Sequence, residues 1–423
     1  MDTEKLKQKI LDLAIRGKLV PQDSNDEPAS VLIDKIREER EKLIKEGVIK
    51  ASKEESIIYK GTDNCYYENL PSNWNLLKLG EIINLKSGID LILSKINGEK
   101  KGIPYITGAS CFDKNSILVS RWTSFPSTVS KKGDLLITVK GTVGEMAFND
   151  LGNIHIARQI MAIDIDKRIN KFFVFYTLLA RKNELITKSA GLIPGISRDK
   201  ILSFEIALPP KNEQDIIVDQ LKRAMRIIDK IEFEKEQLYN ITRKVKSKIL
   251  DSIFGDNSSY KSYYENMGVI TDDIEIYDNT RKPINSDERS KRIEAASILY
   301  PYYGATGKVG FIDDYIFDGE YVLVGEDGAP FLDSTSTKAY IINGKSWVNN
   351  HAHVLKSKTN NKFLMYYLNW FNYFNYVSGT TRLKLTQAML RKIPFPNMPL
   401  EIKEQIVKKI EKAYKVLESI NWF

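Results

Sequence analysis

Apolar residues step through 213–254 at intervals of three and four: Ile217, Leu221, Ala224, Ile228, Ile231, then Leu238, Val245 and Ile249. This is the spacing of a coiled-coil seam. Lys235 and Thr242 fall on seam positions, so the seam is imperfect, but no Gly or Pro interrupts it between Pro209-Pro210 and Gly255. At ~1.5 Å per residue the pattern predicts a helix about 60 Å long. That is too long for the interior of one small domain, so it reads as a strut with a globular domain on each side.

The pattern elsewhere fills in those domains. Residues 4–16 form a short amphipathic helix with Leu6, Ile10, Leu13 and Ala14 on one face, ended by Gly17. A second, highly charged helix follows at 28–46, with Pro28 suited to its first turn, and 48–70 reads as a linker. From 74 to 210 short β-rich runs (102–109, 133–139, 154–165) alternate with Gly and Asn turns. An aromatic helix at 170–187 completes that α+β domain. After the strut, a polar segment runs to about residue 290. Strand-like runs then return at 298–303, 309–312, 319–325, 338–342 and 347–355. A helix at 361–376 and a last amphipathic helix at 400–420 close the chain.

The two α+β stretches are a diverged duplication. Asn170-Lys171-Phe172 matches Asn361-Lys362-Phe363 at the start of each aromatic helix, and Gly133-Asp134 matches Gly319-Glu320 before an apolar run. Ser189-Ala190-Gly191 parallels Ser378-Gly379. Residues 197–206 align with 386–395 at constant offset, and Glu213-Gln214 and Ile217-Val218 parallel Glu404-Gln405 and Ile406-Val407. The end of the strut, VKSKILD (245–251), also resembles LKQKILD (6–12) near the N-terminus. The first copy's helix is therefore whole, whereas the second is split between the two ends of the chain. The expected fold is two similar α+β domains separated by long antiparallel, coiled-coil-like helices, a circularly permuted internal repeat with pseudo-twofold symmetry. Duplex DNA has matching dyad character, and a strut of fixed length would set half-site spacing.

Composition changes this picture little. With 42% hydrophobic and 28% charged residues the chain is ordinary for a soluble protein, and its net charge of +8 is compatible with a polyanionic partner. Two cysteines in unrelated contexts, Cys65 and Cys111, exclude a disulfide framework or a Cys-based zinc site. The start MDTEK lacks a signal-peptide core, so the cytoplasm is expected. The uncharged stretch 363–381 carries three Asn and four Tyr, which hydrocarbon would penalise, and reads as a buried aromatic helix rather than a membrane span.

Several long runs now carry a resemblance over essentially the full length: KILDLAIRGKLVPQ (9–22), DEPASVLIDKI (26–36), LPSNW (70–74), LPPKNEQ (208–214), YPYYGATGKVGFIDDYIFDGEYVLVGEDGAP (300–330), SWVNNHAHVL (346–355) and SGTTRLKLT (378–386). The chain resembles the specificity subunit of type I restriction–modification enzymes. The resemblance implies target recognition domains at 71–210 and 270–397, each reading one half of a bipartite asymmetric site on double-stranded DNA. It implies helical conserved regions at 1–50, 211–255 and 398–423, which set the spacer and bind two modification subunits. Those partners carry S-adenosylmethionine and methylate adenine, and restriction (motor–nuclease) subunits with ATP and Mg²⁺ join the larger complex. No cofactor is expected on this chain and no membrane contact. Where the second domain has GEDGA, the first has VKGTVGEM (139–146), as domains reading different half-sites would.

No catalytic constellation is visible. GATGK (304–308) is too short for a phosphate loop and reads as a Gly-rich turn. His351-Ala352-His353 would be half a metal site, with no third ligand in view. The candidate DNA contacts are donors able to reach base edges or phosphate. In the second domain these are Arg382 and Lys384 with the hydroxyls of Thr380, Thr381 and Thr386; in the first, Ser197, Arg198 and Lys200. A second loop holds Asn349, Asn350 and His351, and another Arg158 and Gln159. Glu326 and Asp327 could accept from cytosine N4, but are expected to cap a turn. The aromatics Phe363, Tyr366, Tyr367, Trp370, Phe371 and Phe374 have core spacing. Two other readings stay open: a non-catalytic scaffold or decoy without DNA recognition, and a piece of a single-chain restriction–methylation enzyme.

Overall fold

The computed structural model describes residues 2–23, 25–47, 67, 69–113, 116–186, 195–264, 267–277, 284–294 and 296–420. The linker expected at 48–70 falls mostly, and the Ser189-Ala190-Gly191 motif wholly, outside them. The chain forms two compact units, Met1–Glu232 and Phe233–Phe423.

The first unit contains helices α1 (Thr3–Ile15), α2 (Ala29–Lys45), α3 (Lys171–Ala180), α4 (Lys182–Leu185), α5 (Arg198–Leu202) and the start of α6 (Lys211–Phe254). Its central sheet runs in the order Ile83–Ser87, Ile160–Ile165, Leu135–Thr138, Met146–Phe148, all antiparallel. A second sheet pairs Ile103–Ile106 in parallel with Ile154–Ile156. Successive strand residues point to opposite faces. Leu135 and Ile137 accordingly join the helix-side core with Phe173, while Leu136 joins Ile106, Ile154 and Ile156 between the sheets.

The second unit repeats this plan with α7 (Ser286–Glu294), α8 (Asn361–Trp370), α9 (Gln387–Leu390), α10 (Leu400–Ile420) and the end of α6. Its central sheet has the order Ile274–Tyr277, Ala352–Ser357, Tyr321–Gly325, Ala339–Ile342. Its second sheet again contains one parallel pair, Tyr300–Gly304 with Trp347–Val348. Val322 and Val324 face the helices while Leu323 faces away. Topology and inward faces thus agree between the units.

The permutation is visible in the buried positions. Helix α1 buries Leu11, Ala14 and Ile15, and the end of α6 buries Leu250, Ile253 and Phe254 at the same spacing. The start of α6 buries Ile217, Val218 and Leu221, matched by Ile406, Val407 and Ile410 in α10. Within the second unit α10 runs antiparallel to the end of α6. Its Tyr414 hydroxyl and Glu418 reach Lys246, while Lys409 lies over the Tyr260 ring.

Several expectations need correcting. The run 154–165 is two strands in two sheets, because the chain turns at Ala157, whose carbonyl accepts from Ile160 N at 2.9 Å. The run 347–355 breaks likewise, at 349–351. The helix expected at 170–187 breaks at Arg181, whose buried guanidinium donates to the Tyr67 hydroxyl (2.8 Å) and the Glu205 carbonyl. The helix expected at 361–376 ends at Trp370, so Phe374 is exposed, whereas Phe363, Tyr367 and Phe371 are core. The polar segment after residue 255 holds strands Met267–Val269 and Ile274–Tyr277 and helix α7. Pro28 is the N-cap of α2 rather than part of its first turn.

Two repeat registers also move. The N-cap of α8 is Asn360, whose Oδ1 accepts from Phe363 N at 2.9 Å, so Asn170 corresponds to Asn360, not Asn361. Asn361 instead accepts from Ser357 N at 2.7 Å. Burial aligns Gln214 with Lys403, two residues before the expected Gln405. Both tie their helix to the loop that starts the aromatic helix. Gln214 Oε1 accepts from Asn170 N at 2.8 Å, and Lys403 Nζ donates to Thr359 Oγ1 (2.9 Å) and Asp273 (3.0 Å).

Candidate functional site

In each unit three loops converge at one end of the central sheet, held by the same backbone hydrogen bonds. In the first, Val139 N donates to Gln159 O (2.8 Å) and Ile196 N to Val139 O (3.1 Å). In the second, Glu326 N donates to His351 O (2.7 Å) and Leu385 N to Glu326 O (2.7 Å). The neighbouring strand joins equivalently, through Ala157 N to Ile106 O (2.9 Å) and Asn349 N to Tyr303 O (3.0 Å). Sheet edges thus hold the loops rigidly while their side chains differ.

The second unit's cluster is ionic. Asp327 Oδ1 accepts from His351 Nδ1 at 2.7 Å and from Arg382 Nη2 at 2.9 Å. Lys384 Nζ lies 3.3 Å from Glu326 Oε1. Behind them buried His353 donates from Nε2 to Leu385 O at 2.7 Å, which fixes its tautomer. The turn from Ser378 back to Lys384 closes through mutual backbone bonds of 3.0 and 2.8 Å. Gly379, at φ 101°, permits it: a Cβ there would stand 2.5 Å from the Arg382 carbonyl oxygen. Glu326 and Asp327 are therefore acceptors for the basic loop residues, not turn caps.

The first unit's cluster is more open. Arg158 Nε meets Asp90 Oδ2 at 2.7 Å. Gln159 lies over Gly108, where a Cβ would fall 2.3 Å from its Oε1. Arg198 Nη1 donates to Leu85 O at 2.8 Å, anchoring α5 to the sheet.

These loops present guanidinium, ammonium, imidazole and amide groups without a nucleophile–base pair. Among the described residues no cluster of His, Cys, Asp or Glu could hold a metal ion. Such a surface can donate to base edges and phosphates.

The model of the type I restriction modification DNA specificity domain matches residues 71–243 and again 270–421. The chain belongs to this family. Its two matches fall one on each unit's loop cluster. A Haemophilus influenzae protein named as a type I restriction enzyme specificity subunit is 41% identical over 135 residues, 31% of this chain and 33% of that one. The EcoEI specificity subunit of Escherichia coli is 29% identical over 253 residues, 54% of this chain and 40% of its own. The chain thus spans a third to two fifths of the length of these two relatives. The crystal structure of the HsdS subunit from Thermoanaerobacter tengcongensis is similar at TM-score 0.37 and 22% identity, over 55% of this chain and 53% of that one.

Arg158, Gln159, Asn350, His351, Arg382 and Lys384 all sit in the convergent loops, and Thr380 and Thr381 are exposed at the tip of the 378–384 turn. Ser197 and Thr386 occupy equivalent places as N-caps of α5 and α9, their hydroxyl oxygens accepting from Lys200 N and Met389 N. Asn349 is buried and accepts from His351 N at 2.9 Å, shaping the turn rather than facing outward. Lys200 is half-buried on α5. Sequence reasoning missed Asp90, and gave Asp327 no basic partner. A carboxylate among loop donors is the signal that would have pointed to both.

Among the described residues no helix is long and apolar enough to cross a membrane. The uncharged stretch that opens with Phe363 runs from the core of α8 into exposed turns.

Proposed function

We propose that this chain is the non-catalytic DNA-reading subunit of a type I restriction–modification assembly, each unit contacting one half of a bipartite asymmetric site. The duplicated loop cluster carries the reading. Two equivalent frames hold different side chains, Arg158 and Gln159 in one and His351, Arg382 and Lys384 in the other, which suits a site whose halves differ. Lysine and arginine contacts to phosphate supply salt-dependent affinity, and the loop donors supply base choice. The relatives' names, as specificity subunits of restriction enzymes, support the same role.

In this reading the chain works in the cytoplasm with two modification subunits and with restriction subunits. S-adenosylmethionine, ATP and Mg²⁺ are carried by those partners. The test is to co-express the chain with its modification subunit and map methylated adenines across the genome. A two-part motif is expected, and exchanging residues 71–210 for those of another specificity subunit should alter one half alone. A methylation pattern indifferent to this chain would leave only a scaffold and overturn the proposal.

A further inference from the structure

The segment 88–97 of the first unit is fixed at both ends yet exposes an apolar tip. Gly88 N donates to Ile160 O and Ile89 N to Ile156 O, each at 3.0 Å. Buried His155 meets the Ile89 carbonyl through Nε2 at 2.9 Å. Asp90 is held by Arg158, and Thr123 Oγ1 donates to Lys95 O at 2.8 Å. Asn97 and Trp122 exchange backbone bonds of 2.9 Å. Within this clamp Ile92 is 64% and Leu93 85% exposed, with Phe125 nearby at 60% beneath Lys95. Held so firmly, the loop cannot fold its own tip away, so aliphatic surface stays in water until something covers it.

Two observations say what covers it. The tip joins the base-facing loop directly, through the Arg158–Asp90 pair. The residues of the clamp and the strand it joins are basic in balance: Arg158 and Lys101 pair with Asp90 and Glu99, while Lys95 lies over Phe125, Lys100 over Trp122, and Arg121 adds a further cation next to Trp122. A polyanion complements that rim. On the base edges of duplex DNA the one apolar group in the major groove is the thymine 5-methyl.

We propose that Ile92 and Leu93 read thymine in the half-site of the first unit, packing against its 5-methyl group while Arg158 and Gln159 address neighbouring base edges. This rests on the DNA-reading role argued above and adds a specificity element to it. The tip then discriminates thymine from cytosine by shape and apolar contact rather than by hydrogen bonding.

The test uses the full chain with its modification subunit and a duplex carrying the mapped site. Each thymine of the half-site that follows residues 71–210 is replaced in turn by deoxyuridine, which removes the methyl alone. At one or two positions wild-type binding should weaken roughly three- to fivefold, the value of one buried methyl. Leu93→Ala and Ile92→Ala should lose that penalty while assembling normally and keeping their response to changes in the other half-site. Equal binding of every uracil duplex, a half-site without thymine, or an undiminished penalty in Leu93→Ala would overturn the inference and leave the DNA-reading role standing. Absence of any site-specific binding by the wild-type complex would instead overturn that role, and this inference with it.

Discussion

At the scale of single residues, Asp327 holds the second cluster together by accepting from His351 and Arg382 at once. Of the two partners the guanidinium is the more exposed, at 61% against 38% for His351, which suits it to the DNA contact proposed above. Arg382→Ala should weaken binding to the second half-site by one to two orders of magnitude, the ~1–3 kcal/mol of a specific base contact, with assembly unchanged. Competition assays with half-site mutants would read this. His155 makes a different prediction. Its Nδ1 accepts from Ser127 N and Thr128 N, both at 3.3 Å, and burial holds its pKa below the ordinary histidine value. The folded state therefore prefers neutral imidazole. Its contribution to stability is complete above pH ~6.5 and is lost as pH falls toward the depressed value. Thermal unfolding should show His155→Gln losing more stability at pH 7.5 than at pH 5.5, relative to wild type. Neither role was legible in advance: one-letter spacing puts Asp327 next to Glu326 but not beneath Arg382, 55 residues away.

At the scale of elements, burial pattern decides register where motifs mislead. The doublet Asn360-Asn361 offers two possible caps, and only the backbone turn selects Asn360. Asn170→Ala, at the equivalent cap, should cost about 1 kcal/mol, measurable by denaturant unfolding. Lys403 is the more severe case. Its side chain is 3% exposed, and its ammonium is compensated by Asp273 and Thr359. Lys403→Ala would leave Asp273 without its cation and should destabilise the fold by on the order of 3 kcal/mol. The long helix α6 and the closing helix α10 were legible because a 3.6-residue period needs no tertiary partner to be seen. The strands around Arg158 and Asn349 were not. A continuous apolar run is equally compatible with one strand or with two that change sheets at a turn.

At the scale of the whole molecule, the chain is one plan used twice, with the second copy completed by α10 and the end of α6. The plan conserves sheet order and burial while letting the loop residues diverge. If the basic loop residues meet phosphate as proposed, salt dependence is steep: log affinity should fall linearly with log salt. Removing a single phosphate contact should lower that slope by about one. Lys384→Ala checks this by titration across salt concentrations, with a changed slope and unchanged sequence preference marking a phosphate contact.

By itself the sequence determined the long helix, the duplicated α+β pattern, its permutation and the family, because periodicity and repeats are local properties carried by residue order. Tertiary structure alone decided which donors share a surface, where carboxylates neutralise them, and that an aliphatic tip stands exposed beside Arg158. Those facts depend on contacts between residues distant in the chain. The sheet registers set such contacts, and short strands leave their registers to packing.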